Sequence, residues 1–230
     1  IIPKSVDLTA RGNQFRLANT NDYNIVIDLN GKLSGLAQTP KATGKLTVRN
    51  GFVYLQDFGE DTIEEVVLEG EEISSFSPYD SLSMEMEVEI QRDFYVRNRS
   101  YLDMEIELIG QLDAQKETNG ELSLFGNLNG VQGYVRPLGK TFRMEEANFT
   151  FSGPVDNPDL SIKSKYTPPT RQKGESVELY YLIDGTAQEP EFSFDSNPPM
   201  EQSDIICYTL FGKPCYSLES WQSVFTSGDS

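Results

Sequence analysis

Leu82, Met84, Met86, Val88 and Ile90 alternate with Ser83, Glu85, Glu87 and Glu89. Leu102, Met104, Ile106 and Leu108 alternate in the same way with Asp103, Glu105 and Glu107. Strict period two places apolar and acidic side chains on opposite faces of a half-buried strand. A helix would mix the two sets around its circumference. The pattern recurs along the chain, so the fold must be built from sheet.

Val6 and Leu8, then Phe15 and Leu17, predict a short opening hairpin around Gly12-Asn13. Tyr23, Ile25, Ile27 and Leu29 predict a strand ended by Asn30-Gly31. Leu46 and Val48, then Phe52 to Leu55, flank Asn50-Gly51, a strong hairpin signal. Further strands are expected at Leu122 and Leu124, at Phe142 to Phe151, at Leu160 and Ile162, at Leu179 to Ile183, and at Phe192 and Phe194. The turns between them are short and polar, so antiparallel meanders are expected and a βαβ arrangement is not. One helix is predicted, Gln202 to Phe211, stopped by Gly212 and Pro214. Residues 168–174 read as a polar loop.

Composition excludes several chemistries. The chain of 230 residues has no histidine and a net charge of −17. Ser-His-Asp and Cys-His catalysis are excluded, along with most zinc sites. The negative field argues against nucleic acid. The neighbouring carboxylates read as a solvated face, because general acid–base work needs carboxylates in unlike environments. Asp156-Asn157-Pro158-Asp159 lacks calcium-loop spacing and reads as a turn. Gly126 to Gly133 does not match a dinucleotide loop and also reads as a turn. No enzyme, metal or cofactor is expected. Cys207 and Cys215 are too few for a disulfide framework; an oxidising compartment would let them pair, their spacing alone does not decide it, and two free or incidental thiols are expected. No apolar run approaches the about 18–20 residues of a spanning helix. The two ends read as those of a piece of a longer protein.

The apolar stripes permit two architectures. Two facing sheets would bury them in a sandwich core. A single sheet curled on itself would leave an apolar interior open. Met84, Met86, Met104 and Met144 are soft and adaptable, and no second set of strands is evident to cover the first. Both points favour the curled sheet, an open half-pipe, while periodicity alone does not separate the two.

Several stretches carry a family pattern. They are Asp93-Phe94-Tyr95-Val96-Arg97-Asn98-Arg99 before the Leu102 strand, and Gly139 to Pro154 with Phe142, Phe149 and Phe151. Asn157-Pro158-Asp159-Leu160, then Gly185 to Pro190, follow. Ser196-Asn197-Pro198-Pro199-Met200 comes last, ahead of the helix ending Leu210-Phe211-Gly212. In this order they resemble the C-terminal domain of the TamB family, well over 82–212 and loosely before. The resemblance implies a periplasmic β-taco, an all-β curled antiparallel sheet with an apolar groove and one short C-terminal helix near 202–211. It divides the chain into strand repeats at 1–80, a C-terminal β-taco domain at 81–212 and a tail at 213–230. It implies phospholipid transport between inner and outer membranes, an inner-membrane anchor outside this chain, and partnership with TamA, an Omp85-type barrel. It also implies a link to assembly of outer-membrane proteins.

The expected groove lining is Leu82, Met84, Met86, Val88, Leu102, Met104, Ile106, Leu108, Leu122, Leu124, Met144, Phe149, Phe151, Leu160, Ile162, Leu179, Tyr181 and Ile183. A nine-residue strand spans about 30 Å, enough to wrap an acyl chain when curled. Each buried methylene gains roughly 0.8 kcal/mol, and the headgroup can remain in water. Two alternatives stand beside this reading. One is a periplasmic chaperone or binding module taking unfolded outer-membrane protein strands by β-augmentation. The other is a structural β-sandwich spacer.

Overall fold

The computed structural model describes residues 4–55, 78–99, 102–169 and 176–218. Eleven strands form one sheet. They are β1 (Ser5–Asn19), β2 (Tyr23–Leu36), β3 (Thr39–Tyr54), β4 (Ser83–Ile90), β5 (Phe94–Asn98), β6 (Met104–Lys116), β7 (Ser123–Val135), β8 (Phe142–Pro154), β9 (Asp159–Tyr166), β10 (Glu178–Gly185) and β11 (Pro190–Asn197). A four-residue helix, α1 (Pro78–Ser81), precedes β4, and α2 (Gln202–Phe211) follows β11. The strands lie in chain order across the sheet, with β4 and β5 sharing one lane between β3 and β6. β3 runs parallel to β4 and β5, while the other pairs are antiparallel.

The long strands are folded across their middles. β1 has an irregularity between Gly12 and Phe15 opposite Leu29 and Ile27. β3 carries Arg49 as an extra residue, since Val48 pairs with Ile27 and Asn50 with Val26. β4 breaks into β5 at residues 91–93, where Asp93 has φ 58°. β7 carries Val131 as an extra residue between Gly130 and Gln132. β8 carries Glu145 between Met144 and Glu146. The register places these irregularities beside one another, so they form one crease running across the sheet. A bulge bends its strand and frees backbone groups from the ladder, and a row of bulges bends the whole sheet.

Four turn assignments change. Gly12-Asn13 is not a hairpin, because β1 runs through it. Asn30-Gly31 does not end β2, and Asn50-Gly51 lies inside β3. Gly126 to Gly133 is likewise strand, the middle of β7. At Gly12-Asn13, Asn50-Gly51 and Gly130 the reason is shared: glycine and asparagine relieve the backbone at a bulge as readily as at a turn, whereas Asn30-Gly31 lies in unbroken register.

Polar side chains on the outer face hold the crease. Asp28 accepts from the Gln14 backbone N–H at 2.8 Å and from Arg49 Nε at 2.6 Å. Arg49 also donates to Gln91 Oε1 at 3.2 Å. Glu107 accepts from the Asp93 backbone N–H at 3.0 Å and from Gln132 Nε2 at 2.8 Å. The backbone amides of Gln14 and Asp93 are thereby satisfied beside the bulges.

The helix at Gln202–Phe211 ends on Gly212 in the left-handed conformation, φ 69°, whose N–H donates to Tyr208 O. Its buried positions are Ile205, Cys207 and Thr209. Cys207 and Cys215 form a disulfide, with Cα atoms 5.4 Å apart. The expectation of two free thiols is therefore corrected. The helix stop at Gly212 turns the chain back so that residue 215 meets residue 207. The Cys215 N–H also donates to Asp204 Oδ1 at 3.0 Å, fastening the same turn.

Candidate apolar groove

Register decides which side chains share the inner face. Ala42, Gly44, Leu46 and Val48 of β3 pair with Met84, Met86, Val88 and Ile90 of β4. Those in turn pair with Lys116, Ala114, Leu112 and Gly110 of β6. Across the crease, Val96 pairs with Ile106 and Asn98 with Met104. Leu124, Gly126 and Leu128 of β7 face Gly153, Phe151 and Phe149 of β8. Phe149 then pairs with Leu160, and Ala147 with Ile162. Ile183 continues the row from Ile162, and Leu179 and Tyr181 extend it on β10.

Most of the expected residues thus fall on one face. Leu102, Met104, Ile106, Leu108, Phe149, Leu160, Ile162, Leu179, Tyr181 and Ile183 are buried in one continuous cluster, with Val88, Leu124, Met144 and Phe151 packed against it. Met84 and Met86 are half-buried on the same face of β4. Leu82 and Leu122 are half-buried but precede β4 and β7 rather than lying in them. The cluster also contains Ile27, Val48, Val135, Phe142 and Ile205, which were not among the expected groove lining. Phe142 carried the right signal, an aromatic two residues before Met144. Ile27 and Val48 were read as strand positions, and they pair with each other beside the bulge at Arg49.

Burial is graded along the sheet. On β1, Leu8 is 60% and Phe15 57% exposed, although they pair with Leu33 and Ile27 on the inner face. At β6, Ile106 is 0% exposed. From β5 to β10 the interior is packed by its own side chains, and Ile205 of α2 reaches into it. The β1 end presents apolar side chains to solvent.

Polar residues also sit inside. Lys116 is buried, yet it occupies the inner-face position opposite Met84. Its ammonium donates to the carbonyls of Asp80, Leu82 and Glu117 at 3.0–3.4 Å and lies 4.6 Å from the Tyr79 ring centroid. It thereby fastens α1 over that rim of the sheet. Asn98, also buried, donates to Leu55 O and accepts from the Leu102 N–H.

Of the outer-face acids, Glu85 and Glu87 are exposed, Glu89, Glu105 and Glu178 are half-buried and Glu107 is buried, and many are paired. Lys41 meets Glu85 at 2.6 Å, and Lys45 meets Glu87 and Glu89 at 2.8 Å. Hydrogen bonds from Lys45, then Gln91, hold the Glu89 carboxyl below its usual range. Lys165, then Tyr180, do the same to Glu178. Among the described residues no group of His, Cys, Asp and Glu is placed to hold a metal ion. Among them also, no helix is long and apolar enough to cross a membrane.

The family described as TamB C-terminal domain matches residues 1–228. This chain belongs to the TamB C-terminal domain family. It is 29% identical over 227 residues to the translocation and assembly module subunit TamB of Haemophilus influenzae. That alignment covers 89% of this chain and 16% of the relative, so the chain spans about a sixth of the relative's length. The TamB match takes in β1 to β3, whose residues resembled the family only loosely. Among the described residues of this TamB-family domain, β1 to β11 belong to one sheet, and all of them lie within the matched segment.

Proposed function

We propose that this TamB-family domain offers its inner face to phospholipid acyl chains. On this reading it is part of a periplasmic conduit between the inner and outer membranes, working with an Omp85-type barrel in the translocation and assembly module. The observation that carries the reading is the largely apolar inner face, exposed at β1 and packed further along the sheet. An acyl chain lying against Leu8, Phe15, Leu33 and Met86 removes methylenes from water at roughly 0.8 kcal/mol each. Neighbouring positions along such a face bind about equally, so movement along it needs no catalytic group. The packed half keeps the sheet curled and limits how far a lipid travels on the interior.

Photocrosslinking amino acids at Leu33 and Met86 test this in cells. Captured phospholipid is expected there, with none from Thr43 or Glu85 on the outer face. No capture, or equal capture from both faces, refutes the reading.

The free side of β1 supports a second reading. Among the described residues β1 pairs only with β2, so its other edge can accept a strand from an unfolded outer-membrane protein. Crosslinkers at Asp7 and Thr9 that capture polypeptide rather than lipid would favour it.

A further inference from the structure

A cleft of about 330 Å³ opens between the C-terminal end of α2 and the neighbouring ends of β8 and β9. Lys140, Tyr166, Pro169, Leu210 and Phe211 line it, with Thr209 and Gly212. Its size falls within the range of small-molecule sites. One wall is continuous with the interior of the sheet. Tyr166 is packed against the apolar cluster, its ring centroid 5.3 Å from that of the buried Phe142. Leu210 and Phe211 are half-buried and close the opposite side.

Lys140 supplies the charge. The nearby cations Arg136 and Lys165 are in ion pairs with Asp103 and Glu178. Lys140 has no carboxylate within ion-pair distance among the described residues. Its backbone is fixed, since its N–H donates to Pro137 O at 3.0 Å. A cleft of mixed polar and apolar lining, with a lysine that has no carboxylate partner among the described residues, matches an amphiphile carrying a negative headgroup.

We propose that this cleft holds the anionic headgroup and adjoining acyl segment of one phospholipid, with Lys140 Nζ taking the phosphate oxygens. This rests on the lipid reading above and adds to it a fixed terminal site with a headgroup charge. The carbonyl end of α2 faces the same cleft and itself favours a cation, so Lys140 also steadies that helix end. The test must therefore separate headgroup recognition from a structural role.

The 230-residue chain, stripped of lipid, is titrated with three probes: lysophosphatidylglycerol, a monoacylglycerol of equal chain length, and glycerol phosphate. Photoreactive versions of the two chain-bearing probes are mapped by mass spectrometry. Lysophosphatidylglycerol should label Tyr166 or Leu210, and Lys140→Gln should weaken its binding about tenfold while leaving the monoacylglycerol unchanged. Lys140→Glu should weaken it further, with an unchanged circular dichroism spectrum. Equal loss for both chain-bearing probes would assign Lys140 a structural role and overturn the proposal. So would glycerol phosphate binding as tightly as the lipid, which would mark a free-anion site. If lysophosphatidylglycerol labels only the Met86 face, the cleft fails and the conduit stands. If it labels neither, both fail.

Discussion

The backbone N–H of Gln14 donates to the carboxylate of Asp28 across the crease, 2.8 Å away on the neighbouring strand. That bond, and then the Arg49 guanidinium, hold the Asp28 carboxyl below its usual range. A group whose pKa is lower in the folded chain stabilises the fold above its unfolded pKa, about 3.9 for aspartate. The contribution is lost as pH falls through the folded value. Asp28→Asn should therefore lower the urea midpoint at pH 7. The gap from the parent chain should close in acid, and a gap constant with pH would show that Asp28 acts without its charge.

Gly130 tests how closely the inner face is fitted. A Cβ there would lie 2.6 Å from Met144 Sδ and 2.8 Å from Ala147 Cβ. The thioether can move, whereas Ala147 is fixed to the backbone of β8. Gly130→Ala should destabilise the chain by about 1–3 kcal/mol, the usual cost of overpacking. Chemical denaturation measures it, and Met144→Ala in the same chain should restore only part of the loss.

The gradient of burial predicts unequal costs for similar truncations. Ile106→Ala removes a wholly buried side chain and should cost about 2–5 kcal/mol. Leu8→Ala removes one that is mostly exposed, and its effect should stay within about 0.5 kcal/mol. Comparable losses at the two sites would mean that β1 is covered in solution.

The disulfide gives the last prediction. Cys207 and Cys215 are eight residues apart, and closing so short a loop stabilises by about 2–3 kcal/mol in the chain-entropy account. Reduction, or Cys215→Ser, should raise hydrogen exchange in α2 and in the turn at Cys215–Ser217 first. Exchange at Ile106 and Leu108 should stay slow, because the sheet is knitted by its own registers. Simultaneous opening of both regions would show that α2 supports the packed interior as a whole.

Sheet, strand phase and the helix α2 were legible because each is written locally. The Leu82–Ile90 alternation sets a face without reference to any other strand, and Gly212 after Phe211 marks a helix end wherever the helix lies. The crease was not legible. An extra residue at Arg49 shifts the apolar phase from Val48 to Gly51, and on one chain that looks the same as a turn. Only the pairing of Val26 with Asn50 and Ile27 with Val48 separates the two. The filling of the interior was hidden for a similar reason. Ile106 and Leu8 carry the same alternating signal, and their exposures differ because of what lies across the curl. The cysteines needed the turn after α2 to bring residue 215 back to residue 207.

The aligned bulges also set how such a sheet can change in size. Each extra residue turns over the remainder of its strand, so removing one would send an inner row outward. Moving the line of folding would require matched insertions and deletions on adjoining strands at once. Adding a hairpin beside β1 requires none. A sheet of this kind can therefore be lengthened freely by accretion at its end, while its width is locked.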